Sequence, residues 1–296
     1  MNSVIDVVLV TYNPNMDMLI KCIDSIRLQV RKIWIVDNNS TVSNIMELLN
    51  EFHGSIELIK MSENEGIAHA QNIGIQKSIE NNSDYILLCD QDTYFPSNYI
   101  EQMLPIFNSE PDNVAAVAPL FHDAVGKDKN EGFVTLSGFG YSRIFPDKGL
   151  YKINQAIASG LIIKSSTLNA IGLMDADLFI DWVDLEWCWR AIAKGYVILG
   201  NADVLIEHNL GDSSIAVGNK GINLRSPIRH YYITRNAFHL AWRCPYLDAW
   251  HRVVLICKGI SYIGGFSILS KPRMMNLKMT LLGLYHSVIG RVGRNN

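Results

Sequence analysis

Two carboxylates separated by a single residue directly follow an apolar segment of the chain. Asp90 and Asp92 come after Tyr85–Cys89, which has the composition of a buried strand. Side chains at alternate positions of an extended segment point the same way, so these carboxylates are expected to converge. Hard oxygen ligands of this kind suit Mg²⁺ or Mn²⁺, and a cation held there neutralises a diphosphate. Alone, the pair also fits a solvated turn.

Two earlier apolar runs also end in polar residues that favour turns. Thr11, Tyr12 and Asn13 follow the first run, and Asp37 ends the second. In open parallel sheets, ligands bind beyond the carboxyl ends of the strands. We therefore expect these residues and Gln91 to contact a bound nucleotide, with Asp37 accepting a hydrogen bond from an N–H of a pyrimidine base. A turn-forming role for Asp37 is the alternative.

The elements that position these residues follow an α/β pattern. Up to about residue 125, short β-branched runs alternate with segments of helical period, which predicts a mainly parallel, Rossmann-like central sheet flanked by helices. Helices are expected around residues 19–26, 45–49 and 67–75, and an excursion between strands at 121–151. The predicted strands are Asp6–Thr11, Lys32–Asp37, Ile56–Met61, Tyr85–Cys89 and Val114–Pro119.

Composition excludes several classes of protein. The 296 residues are 48% hydrophobic and 19% charged, enough for a catalytic domain at 1–240 and a helical extension at 241–296. A net charge of −3 gives no electrostatic footprint for nucleic acid, so no such partner is expected. Five scattered cysteines without a CxxC spacing indicate neither disulfides nor zinc and suit the cytoplasm. Asp6 lies within the first apolar run, which is atypical of a secretory signal.

The composition changes near the C-terminus. Val253–Leu269 is apolar apart from Lys258 and is flanked by basic residues, and Leu277–Val292 is mixed. The apolar run is shorter than the roughly 20 residues that span a bilayer. Helices lying on the inner face of the cell membrane, beside anionic lipid, are the interpretation. Core helices or a dimer interface are the alternatives.

Together these motifs resemble family-two glycosyltransferases, in particular bacterial rhamnosyltransferases of O-antigen and cell-wall polysaccharide synthesis. The resemblance covers roughly residues 4 to 240. It implies a GT-A fold, a divalent cation, dTDP-rhamnose as the nucleotide-diphospho-sugar donor and a polyprenyl-linked saccharide acceptor. The segments that carry it are 10–14, 36–40, 64–74, 90–92, 158–163 and 179–190.

The resemblance also assigns catalytic and acceptor-side residues. Counting back from Arg190 places Asp184 on the catalytic aspartate of an inverting enzyme, with Asp181 as the rival base or a helix cap. Ser159, Gly160, Asp181 and Trp182 are expected on the acceptor side. The motif departs from the common pattern, because Val183 and Glu186 replace acidic residues of many relatives.

Three further residues are assigned to the donor and the metal. Asn72 belongs to the helix motif, and Arg235 is expected to reach phosphate oxygens with its guanidinium. His208 matches an element near the diphosphate or metal, and the polar segment 211–221 after it is expected to be a mobile loop. Gln71 replaces an arginine that approaches the base in many relatives.

Three other functions stay open at this point. A sugar-phosphate nucleotidyltransferase is also α/β, but its glycine-rich opening loop is missing here. A hexosyltransferase that uses another nucleotide sugar fits the same motifs. A non-catalytic membrane-docked scaffold would require Asp90, Asp92 and Asp184 to be remnants.

Overall fold

The computed structural model describes residues 3–41, 45, 52, 54–110, 112–123, 131–137, 140–208, 214–217, 220–223 and 225–295. At residues 123, 137, 140, 208, 214–217 and 220–223 it describes the main chain alone.

A nine-stranded sheet lies at the centre of the molecule. Its spatial order is β3-β2-β1-β4-β10-β6-β11-β5, with β9 also paired to β11. Strands β1 to β4, β6 and β11 run in one direction, and the others run against them. The strands in chain order are β1 Ile5–Thr11, β2 Lys32–Asp37, β3 Ile56–Lys60, β4 Tyr85–Asp90, β5 Thr93–Tyr94, β6 Val114–Asp123, β7 Phe133–Ser137, β8 Gly140–Ile144, β9 Leu150–Ile153, β10 Ile162–Lys164, β11 Val197–His208, β12 Ser214–Val217 and β13 Lys220–Asn223.

The five predicted strands are confirmed, with small differences at their ends. Every residue of β1 is buried, as expected for a strand covered on both faces. β6 continues four residues beyond the predicted Pro119, because it pairs with β11 as far as Asp123. The mainly parallel sheet is therefore as predicted.

Helices cover both faces of the sheet. They are α1 Met16–Ile26, α2 Ile67–Glu80, α3 Tyr99–Met103, α4 Ile106–Ser109, α5 Ser165–Ile171, α6 Val183–Ala193, α7 Pro227–Arg243, α8 Ala249–Leu269 and α9 Arg273–Ile289. A short 3₁₀ helix spans Ala176–Leu178. α2 lies close to the sheet, because a Cβ on Gly74 would sit 2.4 Å from Val8 Cγ1. Of the helix expected at 45–49, only Ile45 is within the described residues, and it is buried.

The predicted excursion between strands forms a second, smaller sheet. β7 and β8 pair as an antiparallel hairpin, and β9 then returns to the edge of β11. The segment predicted as a mobile loop contains the antiparallel strands β12 and β13, while residues 209–213 and 218–219 lie outside the described residues.

The C-terminal helices are not a detached extension. α8 and α9 pack on α7, which itself spans the predicted boundary at residue 240. His230 Nδ1 lies 2.9 Å from Asn276 Oδ1, and Tyr231 Oη lies 2.8 Å from His286 Nδ1. These buried polar contacts join α7 to α9 across the predicted boundary, and the division at residue 240 stays a prediction.

α8 is longer than the apolar run in the sequence. It begins at Ala249, where Asp248 caps it by accepting the main-chain N–H of His251 at 2.8 Å. Its 21 residues make it, among the described helices, the one long and apolar enough to cross a membrane. The apolar run at residues 253–269 was expected to be too short to span a bilayer, but the helix that contains it begins four residues earlier and is long enough.

Candidate active site

A network of hydrogen bonds joins the carboxyl ends of β1 and β2. Thr11 Oγ1 donates to Asp37 Oδ1 at 3.0 Å, and the main-chain N–H of Ser40 donates to Asp37 Oδ2 at 3.1 Å. The Ser40 hydroxyl donates to Asp37 as well. Asp37 is buried, so its carboxylate holds the strand ends together in the way expected of a turn former.

The loop after β1 is fastened to two neighbours. Asn13, at φ 46°, donates its main-chain N–H to Ser40 Oγ at 2.8 Å and accepts the N–H of Thr41 at 2.8 Å. The main-chain N–H of Tyr12 donates to Gln91 Oε1 at 3.0 Å. Tyr12 is 50% exposed. These contacts bring the predicted donor residues Thr11, Tyr12, Asn13, Asp37 and Gln91 to one edge of the sheet.

The acidic pair lies where β4 ends and β5 begins. Asp90 Oδ2 accepts a hydrogen bond from the buried hydroxyl of Ser159, and Asp92 is partly exposed. β5 pairs with β11 so that Thr93 faces His208, which places the main chain of His208 beside the pair. The side chain of His208 lies outside the described residues.

The oxygen ligands of Asp90 and Asp92 are chemically suited to a hard divalent cation. Among the side chains described, no group of three or more His, Cys, Asp and Glu is arranged to hold a metal ion. Mg²⁺ sites commonly use one or two carboxylates and complete the shell with water and substrate phosphates. Asp90 and Asp92 meet that requirement.

Asp184 lies in the first turn of α6, and both of its oxygens bind main-chain N–H groups. Leu185 N donates to Oδ1 at 3.0 Å, and Ala158 N donates to Oδ2 at 3.2 Å. Burial, with a smaller contribution from the nearby charge of Asp90, raises the pKa of Asp184 to about 7, although the two hydrogen bonds from Leu185 and Ala158 act to lower it. Asp184 is only partly buried, so it stays accessible although the surrounding protein removes much of its water.

Two consecutive residues connect the predicted base, Asp184, with the predicted metal ligand, Asp90. The N–H of Ala158 binds Asp184, and the hydroxyl of Ser159 binds Asp90. Gly160 follows at φ 84°, where a Cβ would lie 2.8 Å from Ile206 Cδ1. Gly160 therefore permits close packing of the segment that carries both contacts.

A cavity of about 170 Å³ opens beside these residues. Ser159 and Leu185, the neighbours of Asp90 and Asp184, are among the residues that line it. Residues of β6 to β9 and of the segment after β9 also line it, including Phe133, Arg143 and Gln155. The cavity thus includes residues of the excursion that the sequence motifs did not identify.

The main chain before Asp184 is strained. Phe179, Asp181 and Trp182 have φ values of 65°, 64° and 69°, a region that side-chain-bearing residues rarely adopt. We call Asp177–Trp182 the strap. It runs from the 3₁₀ helix to Trp182, the N-cap of α6, and so leads directly into the turn that carries Asp184.

α7 holds the strap through buried polar side chains. Asn236 Nδ2 donates to the carbonyls of Leu178, Ile180 and Asp181 at 2.9, 2.9 and 3.1 Å. Trp182 Nε1 donates to the carbonyl of Ile233 at 3.1 Å. Because buried carbonyls need partners, these bonds offset part of the backbone strain.

Arg235 belongs to the same support and not to a phosphate site. It is fully buried, and its Nη2 donates to the carbonyls of Asp177 and Leu178 at 3.0 and 2.8 Å. Its Nη1 donates to the carbonyl of Gly293 at 2.5 Å and its Nε to Asn236 Oδ1 at 2.8 Å. This geometry contradicts the predicted phosphate contact, because the guanidinium is buried and donates its hydrogen bonds to groups inside the protein.

Asp181 is neither a free base nor a helix cap. Arg229 binds its two oxygens at 2.9 and 3.1 Å, and Arg225 approaches at 3.6 Å. The N-cap of α6 is Trp182, which makes no side-chain capping bond. Asp181 therefore forms an ion pair and does not act as the alternative base or as the helix cap.

Two other predicted site residues serve packing. The amide of Asn72 bonds both ways with the main chain of Met174, at 2.8 and 2.9 Å, and so ties α2 to the segment before the strap. Trp182, expected on the acceptor side, is buried together with Trp187 and Trp189.

Comparisons with known proteins decide the family. The model of glycosyl transferase family 2 matches residues 6–155. The dTDP-rhamnosyl transferase RfbF of Shigella flexneri is 34% identical over 248 residues, which cover 81% of this chain and 80% of that protein. This chain belongs to glycosyltransferase family 2. An uncharacterized glycosyltransferase of Bacillus subtilis, YwdF, is 29% identical to this glycosyltransferase, over 65% of the chain and 69% of YwdF.

Solved structures agree with the fold of this family-two glycosyltransferase. GalNAc-T7 with UDP, GalNAc and Mn²⁺ superposes with a TM-score of 0.60 at 15% identity, covering 87% of this chain and 55% of that one. TarS 1–349 of S. aureus with UDP-GlcNAc gives 0.60 at 13%, covering 96% and 81%. The predicted GT-A fold is confirmed.

Proposed function

We propose that this glycosyltransferase moves L-rhamnose from dTDP-rhamnose to a hydroxyl of a lipid-linked saccharide, with inversion, in bacterial surface polysaccharide synthesis. The choice of donor rests on the likeness to the dTDP-rhamnosyl transferase RfbF, which extends over most of both chains. The observation that carries the mechanism is the pair of adjacent contacts from Ala158 to Asp184 and from Ser159 to Asp90.

In this mechanism Asp184 is the general base. It accepts the proton of the acceptor hydroxyl as that oxygen attacks the anomeric carbon and the bond from that carbon to the dTDP leaving group breaks. A pKa of about 7 suits this task, because a base is most effective when its pKa lies near the working pH. The N–H groups of Ala158 and Leu185 hold the carboxylate in place.

Asp90 and Asp92, together with the donor's phosphates, would hold Mg²⁺ or Mn²⁺, and His208 is the proposed third protein ligand. A bound divalent cation supplies Lewis-acid stabilisation of the leaving diphosphate. The hydrogen bond from Ser159 orients Asp90 towards that role.

A panel of nucleotide sugars, assayed with membrane-derived acceptor and with Mg²⁺, Mn²⁺ or chelator, tests the function. Asp184→Asn and Asp92→Ala should lose turnover, whereas Asp112→Asn, an exposed carboxylate outside the site, should retain it. Preference for another nucleotide sugar would assign a different hexosyltransferase. Diphosphate released from a nucleoside triphosphate would instead indicate the nucleotidyltransferase.

We also propose that the enzyme is cytoplasmic and binds the inner face of the cell membrane through α8 and α9. Residues 249–296 contain seven Lys or Arg and no Asp or Glu, so the remaining 248 residues carry 19 basic and 29 acidic side chains. Such a basic segment favours anionic lipid. Its exposed apolar side chains include Trp250, Val253, Ile260, Ile268, Met274, Leu281, Tyr285 and Val288.

Vesicle sedimentation tests this surface without removing the helices that support α7. The double variant Val253→Ser and Ile260→Ser should bind anionic vesicles more weakly than wild type. Leu28→Ser, which changes an exposed leucine on the loop after α1, is the matched control. Equal binding by all three proteins would contradict the proposal.

A further inference from the structure

Two basic side chains from distant parts of the chain meet near the acceptor side of the site. Lys258 of α8 places its ammonium 5.5 Å from the centroid of the Trp182 ring. Arg143 of β8 lines the cavity beside Asp184, and its positive charge is close enough to lower the pKa of Lys258. α8 packs directly on β8.

Lys258 is a partly buried cation that has no acidic partner among the described residues. In the described part of the chain, no oxygen accepts a hydrogen bond from its ammonium and no carboxylate pairs with it. Burial, followed by Arg143, lowers its pKa. Holding a desolvated ammonium near a second cation is unfavourable unless an anion joins them. This arrangement indicates a binding site for a negatively charged ligand.

The nearby carboxylates are committed to other cations. Glu131 pairs with Arg143, and Asp181 pairs with Arg229 and Arg225. Among the described residues near Trp182, Lys258 is thus the cation that no carboxylate pairs with, and its ammonium is the positive charge that a ligand would meet.

The cavity connects this charge to the catalytic carboxylates. Arg143 lines the same cavity as Ser159, the partner of Asp90, and Leu185, whose N–H binds Asp184. An acceptor sugar in this cavity with its hydroxyl at Asp184 would extend towards Arg143, whose charge in turn acts on Lys258.

Exposed apolar side chains of α8 indicate where the membrane would lie relative to Lys258. While Lys258 and Tyr262 face Trp182, the side chains of Trp250, Val253, Ile260 and Ile268 are exposed on the helix. An anion held at Lys258 thus lies between the catalytic cleft and the proposed membrane face.

We propose that Lys258 and Arg143 bind the phosphate or diphosphate that joins the acceptor saccharide to its lipid carrier. The proposal rests on the proposed glycosyl transfer to a lipid-linked acceptor. Lysine and arginine are the usual partners of phosphate oxygens, and charge-assisted hydrogen bonds to them are strong.

The test compares two acceptors with the same saccharide, one attached to a short-chain polyprenyl diphosphate and one to a neutral alkyl group. KM is measured for each with wild type, Lys258→Met and Lys258→Arg. The ratio of the neutral to the diphosphate KM should fall at least about tenfold in Lys258→Met, the effect expected for one lost charged hydrogen bond, and should recover in Lys258→Arg. Lys21→Met, on the exposed face of α1, is the control.

Other outcomes separate the possible sources of the anion. An unchanged ratio in Lys258→Met overturns the proposal. A rise in the KM of dTDP-rhamnose with no change in the acceptor ratio would assign the cations to the donor. Loss of binding to anionic vesicles, again with no change in the ratio, would assign them to lipid headgroups.

Failure of the proposed function is distinguishable from failure of this site. If wild type uses neither acceptor, titration with inorganic diphosphate, followed by tryptophan fluorescence, still reports binding beside Trp182. Weaker binding by Lys258→Met than by Lys21→Met would then support the anion site, and equal binding would overturn it.

Discussion

Replacing Asp184 by asparagine should stabilise the folded enzyme at alkaline pH while it abolishes transfer. The carboxyl has a pKa of about 7 in the folded protein and an ordinary value of 3.8. Between these values the folded state keeps the proton and the unfolded state loses it. Since the unfolded state binds fewer protons, the free energy of unfolding falls as the pH rises and becomes level above about 7.

The size of the effect follows from those two values. A pKa difference of about 3 corresponds to roughly 4 kcal/mol at 1.36 kcal/mol per unit, of which roughly 3 kcal/mol develops between pH 5 and 9. The amide cannot ionise, so the variant lacks this penalty. It also loses one acceptor for the two N–H groups of Ala158 and Leu185, which adds an offset that does not depend on pH.

Urea denaturation of both proteins at pH 5, 6, 7, 8 and 9, with a chelator present, measures the difference. Subtracting the two curves removes the titration of every other group, and Asp112→Asn serves as a control with an exposed carboxylate. A difference that stays constant from pH 5 to 9 would show that Asp184 titrates normally, and the assignment of a raised pKa would be refuted. Repeating the measurement with Mn²⁺ should reduce the difference, because a cation at Asp90 offsets the charge that helps to raise this pKa.

The same titration predicts that kcat/KM rises with pH and levels off above about 7, because Asp184 must be ionised to accept a proton; a flat pH–rate profile would contradict its role as base. Gly66→Ala should destabilise the protein by about 2 kcal/mol or more relative to Gly54→Ala in thermal unfolding, because both glycines have φ near 90° but only a Cβ at Gly66 would meet Phe179 O, at 2.4 Å. Asn236→Ala should lower kcat more than it changes the KM of the donor, because it releases three carbonyls of the strap; equal effects on both constants would indicate general loss of structure.

The sheet and the carboxylates at its edge could be predicted because their signal is local. The run before Asp90 is apolar on both faces, and a strand of that kind must end in polar residues where it reaches the surface. Asp184 was placed by a motif that begins a helix, and the helix begins one residue before it. Each prediction needed only a few neighbouring residues.

The role of Arg235 could not be predicted in the same way. A fully buried arginine that donates to main-chain carbonyls is uncommon, and its partners at residues 177, 178 and 293 are distant in sequence. The positive φ values of Phe179 and Trp182 leave no trace in residue type, because glycine and asparagine are absent there.

Residues of the cavity beside Asp184 were missed for a related reason. Arg143 reaches the cavity only because the β7–β8 hairpin folds back over the sheet, and that pairing is non-local. Lys258 had a visible signal, as the sole charge in an apolar run, but its neighbour Trp182 is 76 residues earlier in the chain. Proximity of this kind requires the tertiary structure.

The contact between Arg235 and Gly293 has a consequence for biosynthesis. A ribosome adds Gly293 109 residues after Asp184, so the nascent polypeptide contains the base well before it contains the residue whose carbonyl Arg235 binds. Transfer activity should therefore require that Gly293 has been synthesised and has docked against Asp177.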